Sequence, residues 1–347
     1  MGTWCAPCVA GHRKLDSLQA QFSESLHIWA VSYEETSRVR RFVEKQPATF
    51  QHVRDEHELL ATYFPHRIIP HAVLIDPSGQ IRSISAPEDL DAFTLQAFLS
   101  GEEPRVAQKQ DRIGFDPLRS DIFERSGTEE EAFTLIESLE GLPTLSIKGL
   151  GEGLKGRRLT LINYSISGMI REAMDLGWRR FQIKEEEKQA LEEELYTLDL
   201  IVAEADSDLL RTQLFEHVQT HFGLTLDTLR ETSKIYRLVL EDPVKRAQHA
   251  AVNPEEAGAS GQHYRSPAAQ LKDLADYLEQ FGIVGAIVLP ETETDPPYPM
   301  DFRFFPEDVA TFWKALEALG LGLRQEEAEV TRYQVSLKKE IASPKLF

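Results

Sequence analysis

Two cysteines, Cys5 and Cys8, lie three positions apart near the start of the chain and are the only cysteines among its 347 residues. Leu15, Leu18 and Phe22 follow at helical spacing, which places Cys5 just before the first turn of a predicted helix. Unpaired backbone N–H groups and the positive end of the helix dipole at that position favour a thiolate over a thiol. A second cysteine one turn further along is placed to attack a mixed disulfide formed at the first. The pair therefore predicts thiol–disulfide exchange.

Two other interpretations of the cysteine pair compete with redox chemistry. Half of a zinc site would need more ligands, and His12 is the only nearby candidate. A structural pair of buried thiols is the second, because cysteine is often simply buried. Trp4 and Pro7 beside the pair favour redox chemistry, and Pro7 suits the first helical turn because its missing N–H would have no intrahelical partner. We therefore expect a catalytic dithiol with no metal and no cofactor.

The residues that follow alternate between predicted strands and helices. The sequence predicts strands at 27–33, 50–53, 68–76 and 80–85, and helices at 36–45, 59–64 and 91–99. The third strand begins at Ile69-Pro70, and a proline is tolerated at the first residue of a strand. This peptide bond is a candidate for the cis form, although most X–Pro bonds are trans.

Together these features resemble the thioredoxin superfamily and, within it, the TlpA/ResA-like thiol–disulfide oxidoreductases of the bacterial envelope. The resemblance covers roughly the first hundred residues and is carried by Trp4-Cys5-Ala6-Pro7-Cys8, by Ile69-Pro70 and by the hairpin at 73–81. It implies that Cys5 attacks the substrate and that Cys8 resolves the intermediate. It further implies that a cis Pro70 faces the pair, with the Ile69 backbone receiving an extended substrate segment.

Some members of this family carry a glutamate near the cysteines, after the second strand. Glu34 and Glu35 both fall at that place, and the sequence does not choose between them. Glu35 is our candidate for the active-site carboxylate. The alternative is that both are solvated loop carboxylates.

The chain departs from the family pattern before the motif. Family members have an apolar strand there, whereas this chain has only Met1-Gly2-Thr3. We therefore expect a truncated start that lacks the first central strand of the sheet and any signal peptide or lipid anchor. The strands around 28–31 and 73–75 would then lose a partner. The resemblance implies a location in the periplasm or cell envelope.

Composition limits the class of protein. A chain of 347 residues is long enough for two domains. A net charge of −19, with acidic and basic residues mixed along the chain, argues against nucleic acid and anionic membranes as partners. No apolar run approaches the roughly 18 residues that a membrane span needs. Two cysteines fit a catalytic dithiol better than a disulfide-stabilised scaffold.

We predict three parts: a thioredoxin-like α/β domain at 1–102, a linker and acidic segment at 103–135, and an α+β domain at 136–347. Residues 103–126 are too polar to form a core of their own. Residues 128–140 resemble an acidic helix, because Glu129, Glu130 and Glu131 would lie in its first turn, where they favour the dipole.

A glycine-rich run opens the third part. Gly151, Gly153 and Gly156 match the GxGxxG dinucleotide fingerprint. The residues that follow, 157–162, alternate as a strand does, whereas the fingerprint requires a helix there. The run therefore predicts a loop between strands and no cofactor.

The third part also contains an internal repeat. The spacing from Gly223 to Tyr236 (236 − 223 = 13) equals that from Gly320 to Tyr333 (333 − 320 = 13). Each copy is predicted to form a strand, an amphipathic helix and then two strands. The segment between the copies, 242–267, is predicted to be a mobile loop, and a helix at 271–281 and a strand at 283–289 follow it.

The distinctive segments of this part are the strand at 158–166 with its helix at 168–176, the runs at 222–224 and 230–232, and the strands that contain Asp199 and Asp301. Through these segments it resembles an uncharacterised bacterial envelope-protein domain that has no established chemistry. His217 and His221, four apart on one helix, form at most half of a metal site, and ordinary surface or groove histidines are the alternative. Asp199 and Asp301, at matching places in the two copies, are expected to face outward from alternating strands.

These patterns together predict an envelope thiol–disulfide oxidoreductase whose partners are protein thiols or disulfides and a partner redox protein. The appended α+β domain is expected to dock an envelope partner or present substrate. The alternative is an envelope binding protein in which the repeat domain is the functional part and the thioredoxin-like part is vestigial. The direction of the redox reaction stays open.

Overall fold

The computed structural model describes residues 1–247 and 250–338 and divides the chain into two compact units. The first unit comprises Met1–Asp116 and Glu140–Pro143, and the second comprises Pro117–Leu139 and Thr144–Phe347. This division differs from the predicted three parts. Of the stretch predicted as a linker, residues 103–116 belong to the first unit and 117–135 to the second.

The first unit contains helices and strands in alternation. Its helices are α1 (Ala6–Gln21), α2 (Thr36–Lys45), α3 (Leu59–Tyr63) and α4 (Ala92–Leu99), and its strands are β1 (Trp29–Ser32), β2 (Gln51–Arg54), β3 (Ala72–Ile75) and β4 (Ile81–Ser85). Strands β1 and β2 pair in parallel, whereas β3 and β4 form an antiparallel hairpin. The predicted strand at 68–76 is shortened to β3, so the residues around Pro70 form a loop that leads into the strand.

The core of the first unit lies between helices α1 and α4 and strand β3. Leu18, Leu74 and Leu95 are buried there, one from each of these elements. Gly11 permits close packing of α1 on the segment that contains Pro87, because a Cβ atom added to it would lie 3.0 Å from Pro87 Cβ. These contacts hold the helix that follows the cysteine motif.

Strands β1 and β3 belong to different two-stranded sheets, and no strand within 1–247 and 250–338 pairs with both. Residues 1–3 lie beside β1. The Met1 amine donates a hydrogen bond to the Val31 carbonyl, and the Thr3 amide donates one to Glu34 at 2.6 Å. The segment that precedes the cysteine motif is therefore tied to the end of β1.

The second unit is a larger α+β assembly. Its strands are β5 (Ala132–Glu137), β6 (Leu145–Lys148), β7 (Arg158–Ser165), β8 (Phe181–Ile183), β9 (Leu195–Ile201), β10 (Leu224–Leu240), β11 (Gly258–Ser260), β12 (His263–Ala269), β13 (Ile287–Pro290), β14 (Tyr298–Arg303) and β15 (Leu321–Leu337). Its helices are α5 (Ile166–Met174), α6 (Leu210–Phe222), α7 (Pro243–Ala247), α8 (Leu271–Gln280) and α9 (Val309–Ala318). They form sheets with the strand orders β5-β9-β7-β6, β13-β10-β15-β8 and β11-β12-β14.

Two apolar cores hold the second unit together. Helices α5 and α6 bury the first against β7 and β9, through Leu159, Leu161, Met169, Ile170, Leu198, Leu200, Leu214 and Val218. Helices α8 and α9 bury the second against β14, through Leu274, Leu278, Met300, Phe302, Phe312 and Leu316. No described helix in either unit combines the length and apolar character that crossing a bilayer would require.

Strands β10 and β15 are seventeen residues each and pair antiparallel over their whole length, from Leu224 opposite Leu337 to Leu240 opposite Leu321. The prediction of two strands after each helix is therefore wrong, because one continuous strand spans both predicted segments. The ladder centres on Thr232 opposite Glu329, whose separation (329 − 232 = 97) equals that between Gly223 and Gly320 (320 − 223 = 97).

Two other segments of the second unit differ from prediction. The predicted acidic helix at 128–140 is wrong, because β5 lies there and pairs with β9. The carboxylate of Glu129 instead accepts hydrogen bonds from the Ser126 and Gly127 amides at 3.0 and 2.9 Å, in the turn before the strand. The predicted loop at 242–267 contains α7, β11 and most of β12, apart from 248–249, which lie outside the described residues.

Asp199 and Asp301 occupy opposite environments, although they match in the sequence. The Asp199 side chain is 0% exposed and accepts hydrogen bonds from Arg158 Nε at 2.8 Å, Arg125 Nε at 2.8 Å and Thr160 Oγ1 at 2.7 Å. The outward orientation predicted for it is wrong, because the neighbouring strand β7 supplies Arg158 and Thr160 and the segment before β5 supplies Arg125. The Asp301 side chain is 46% exposed, as predicted, and pairs with His263.

We predict that Asp199→Ala lowers the free energy of unfolding by about 3 kcal/mol, because Arg158 Nε, Arg125 Nε and Thr160 Oγ1 lose their shared buried acceptor, while Arg158 keeps its pair with Asp121. Asp301→Ala is the matched control and should cost less than about 1 kcal/mol, since its ion pairs are solvent-exposed. Urea unfolding followed by circular dichroism measures both. Equal losses from the two variants would contradict the structural role given to Asp199.

Candidate functional site

The two cysteines form a disulfide at the start of α1, with their Cα atoms 5.2 Å apart. Cys5 is the N-cap of the helix, with an extended backbone, and its Sγ accepts a hydrogen bond from the Cys8 amide at 3.2 Å. Pro7 occupies the first helical turn, as predicted. The sulfur of Cys5 therefore takes the place that an oxygen of a serine or aspartate fills at other helix starts.

Both cysteines are buried, at 6% and 4% exposure for Cys5 and Cys8. Their neighbours are not: Trp4 is 45% exposed, and Ala6 and Pro7 are also exposed. Beside the buried disulfide, the residues exposed to solvent along the chain are therefore Trp4, Ala6 and Pro7.

The Ile69–Pro70 peptide bond is cis, which confirms the sequence prediction for this bond. Both residues are half-buried and lie in the loop before β3. The preceding residue, Ile68, has its backbone held on both sides. Its amide donates to Asp111 at 2.8 Å, and its carbonyl accepts from Lys109 Nζ at 2.6 Å.

The cis-proline loop continues into His71, whose ring stacks on His66 with the ring centroids 4.6 Å apart. Lys109 Nζ lies 3.4 Å from Nδ1 of His71. Burial, followed by the positive charge of Lys109 and the neighbouring His66, lowers the pKa of His71 from 6.5 to about 4. His71 is therefore neutral at neutral pH. The sequence offered no signal for His71 or Lys109, because their contact joins segments that are distant along the chain.

Of the two candidate glutamates, Glu34 is the one that contacts the cysteine segment. It is buried, and its carboxylate accepts hydrogen bonds from the amide and hydroxyl of Thr3 at 2.6 and 2.9 Å. Arg38 Nε pairs with it at 3.0 Å. Glu35 is exposed at the start of α2 and makes no capping hydrogen bond. Of the two glutamates, Glu34 is therefore the one bonded to the segment that precedes the cysteines, whereas the candidate Glu35 is exposed.

His12, the one nearby candidate for a zinc ligand, faces another histidine. Its Nε2 lies 2.9 Å from Nε2 of His52 on β2, and the rings of Phe42 and Phe50 pack around it. Burial, and then the neighbouring His52, lowers the pKa of His12. Within the part of the chain that the structure describes, no group of three or more histidine, cysteine, aspartate or glutamate side chains is arranged to hold a metal ion.

The remaining sequence candidates lie in the second unit. The ring of His217 stacks on Phe133 at 4.4 Å, and the ring centroid of His221 lies 6.3 Å from that of Phe133. The glycine-rich run connects the antiparallel strands β6 and β7, so it is the loop that was predicted. One of its carbonyls, that of Leu150, accepts a hydrogen bond from Arg158 Nη1 at 2.9 Å.

Comparison with known proteins gives one match, which lies in the first unit. The model of the AhpC/TSA family matches residues 1–84, a segment that includes both cysteines and the cis proline. This match supports a thioredoxin-like redox domain at the start of the chain, and members of that family are redox enzymes. No curated protein matches the chain significantly, and no solved structure does so either.

We predict that His71 contributes a loss of stability as the pH falls from 6.5 to about 4, in addition to other histidines with a lowered pKa such as His12. The pKa of His71 is lower in the folded chain than in the unfolded chain, so the unfolded chain binds an extra proton in this window. The stabilisation is complete above pH 6.5 and is lost as the pH falls towards 4. His71→Gln should flatten this part of the profile, measured by urea unfolding at a series of pH values.

Asp111 changes the stability over a lower pH range than His71 does. Burial opposes its ionisation, but hydrogen bonds from Lys109, Ile68 and Arg67 outweigh burial and hold its pKa below 3.8. Its contribution is therefore lost only below pH 3.8. An unchanged slope between pH 6.5 and 4 in His71→Gln would contradict the assignment to His71.

Proposed function

We propose that the first unit is a TlpA/ResA-like thiol–disulfide oxidoreductase of the bacterial cell envelope. The observation that carries this proposal is the Cys5–Cys8 disulfide at the start of α1, with the Cys8 amide directed at Cys5 Sγ. The cis Ile69–Pro70 bond and the family match over residues 1–84 support it. The envelope location rests on the resemblance to TlpA and ResA proteins.

In the reductive direction, the Cys5 thiolate attacks one sulfur of a substrate disulfide. The substrate S–S bond breaks, the leaving sulfur takes a proton, and a mixed disulfide with Cys5 forms. The Cys8 thiolate then attacks Cys5 Sγ, which releases the second substrate thiol and forms the Cys5–Cys8 disulfide. A partner redox protein with a dithiol restores the reduced state. The oxidative direction runs through the same steps in reverse.

The residues around the pair have distinct roles in this proposal. The helix start stabilises negative charge on Cys5 Sγ through the Cys8 amide and the dipole. Trp4 and Pro7 form the surface that meets the substrate. The backbone of Ile69, before the cis Pro70, pairs with an extended substrate segment. Glu34 fixes Thr3, two residues before Cys5, through two hydrogen bonds.

For the second unit we propose an internal duplication that docks an envelope partner or presents substrate. The element series β7-α5-β8-β9-α6-β10 and β12-α8-β13-β14-α9-β15 follow one another along it. The offset of 97 residues shared by Gly223/Gly320 and Tyr236/Tyr333, and the ladder centred on Thr232 and Glu329, support this interpretation. The rival is a binding protein in which this unit is the functional part and the thioredoxin-like unit is vestigial.

The AhpC/TSA match favours a second candidate, the reduction of peroxides. In that reaction the Cys5 thiolate would attack a peroxide oxygen, which breaks the O–O bond and gives a sulfenic acid and an alcohol or water. Cys8 would then condense with the sulfenic acid, forming the disulfide and releasing water. Both candidates end in the disulfide that the structure contains.

The full chain, reduced and incubated with a peptide that holds one disulfide, tests the first candidate. Cys5→Ser should reduce turnover to the uncatalysed rate, because the attacking sulfur is lost. Cys8→Ser should accumulate a mixed disulfide between Cys5 and the peptide, detected by mass spectrometry, because no second sulfur resolves it. The double variant Cys5→Ser/Cys8→Ser is the matched control and should form no adduct.

A parallel assay with hydrogen peroxide and dithiothreitol distinguishes the candidates. Faster consumption of peroxide than of the peptide disulfide would support the peroxidase and contradict the oxidoreductase. An adduct at Cys8 in Cys5→Ser that forms faster than the adduct at Cys5 in Cys8→Ser would reverse the roles assigned to the two cysteines. A wild-type chain that is inactive in both assays would support the vestigial alternative.

A further inference from the structure

The short segment 108–111 lies beyond the family match and within the stretch predicted as a linker, yet it contacts the cis-proline loop. Lys109 Nζ donates to the Ile68 carbonyl at 2.6 Å and pairs with Asp111 at 2.8 Å. Asp111 Oδ2 accepts from the amides of Arg67 and Ile68 at 2.7 and 2.8 Å. Both backbone polar groups of Ile68 are therefore bound by this segment.

The segment is itself attached to β4. The Lys109 amide donates to the Ile84 carbonyl at 2.8 Å, and Gln108 Oε1 accepts from the Ile84 amide at 3.2 Å. Gln108 Nε2 also donates to Ser83 Oγ at 3.2 Å. Strand β4 pairs with β3. The loop before β3 is therefore connected to this hairpin in two ways: directly through the chain, and through the hydrogen bonds of segment 108–111 to β4.

Burial makes these contacts strong. The side chain of Lys109 is 15% exposed and that of Asp111 is 5% exposed. Hydrogen bonds that involve a charged group are stronger than neutral ones, and burial shields them from water and salt. Loss of either side chain would leave the other charge, and one backbone group of Ile68, without its partner.

We propose that Lys109 and Asp111 are positioning residues that hold the Ile69 backbone, beside the cis Pro70, in place for an extended polypeptide carrying a disulfide. This inference rests on the proposed function, in which that backbone receives the substrate. Fixing the amide and carbonyl of Ile68 orients the peptide plane that leads into Ile69. A small disulfide that reacts at Cys5 without pairing with this backbone does not depend on the segment.

The test compares the reduction of two disulfide substrates by the full-length chain: insulin as the polypeptide, and hydroxyethyl disulfide as the small molecule. Lys109→Met and Asp111→Asn should each raise the KM for insulin about tenfold, the size expected for losing one charge-assisted hydrogen bond, while kcat changes little. The kcat/KM for hydroxyethyl disulfide and the equilibrium constant with glutathione should stay within about twofold of the wild type.

Three controls separate positioning from a general structural effect. Lys109→Arg keeps a cationic donor and should restore the KM for insulin most of the way. Lys45→Met and Asp89→Asn remove the same charges from exposed positions and should change neither substrate. Faster hydrogen exchange at the Ile68 amide in Asp111→Asn than in the wild type, with unchanged exchange in α4, would show that the loop loosens while the unit stays folded.

The possible outcomes distinguish failure of the positioning role from failure of the proposed function. An unchanged KM for insulin in both variants, or equal losses with insulin and hydroxyethyl disulfide, would overturn the positioning role while leaving the proposed function intact. A wild-type chain that reduces neither substrate would overturn the proposed function and the positioning role with it. A tenfold rise confined to insulin, reversed by Lys109→Arg, would support the proposal.

Discussion

The unpaired N–H groups at the start of α1 are the constraint on which the first unit depends. Cys5 satisfies one of these groups, because its sulfur accepts a hydrogen bond from the Cys8 amide. Pro7 removes another, because proline has no N–H in the first turn. The same geometry favours negative charge on the sulfur, so a structural requirement of the helix and a chemical requirement of disulfide exchange coincide. The rest of the unit keeps this helix start in place: Glu34 binds Thr3 before it, and Gly11 lets α1 pack closely on Pro87 behind it.

Buried carboxylates decide which distant segments of the chain lie together. Glu34 binds Thr3, Asp111 binds Arg67 and Ile68, and Asp199 binds Arg158. Each joins residues more than thirty positions apart. A buried carboxylate without partners is costly, so the alternatives to these pairings are disfavoured even where the pairings themselves add little net stability. In both units the polar interior therefore contributes specificity, while the apolar clusters contribute most of the driving force.

Local sequence patterns correctly predicted the features that depend on interactions between residues close together along the chain. The bounds of α2, the helix start at the cysteines and the cis Ile69–Pro70 bond agree with the structure. Contacts between segments that are distant along the chain decided the features that the sequence analysis did not predict. Segment 128–140 has glutamates typical of a helix start, but β9 offers a strand edge to it, and this non-local contact outweighs the local preference. Alternation along β9 likewise does not distinguish an exposed aspartate from one such as Asp199, whose arginine partners lie on other segments.

In the proposed function, the reactive cysteines lie inside the family match, and the residues that position a substrate-binding backbone lie outside it. Residues 1–84 contain the helix start and the cis proline, which an activated thiol needs whether it attacks a peroxide or a disulfide. Lys109 and Asp111 lie outside that range and bind a backbone segment that a peroxide, being too small to pair with it, would not use. Two largely buried charges placed against the backbone of Ile68 are costly to desolvate, and in our proposal they fix this backbone for a polypeptide substrate. In the proposed function, the segment beyond the family match would therefore serve a polypeptide disulfide, and not a peroxide, as the substrate of Cys5.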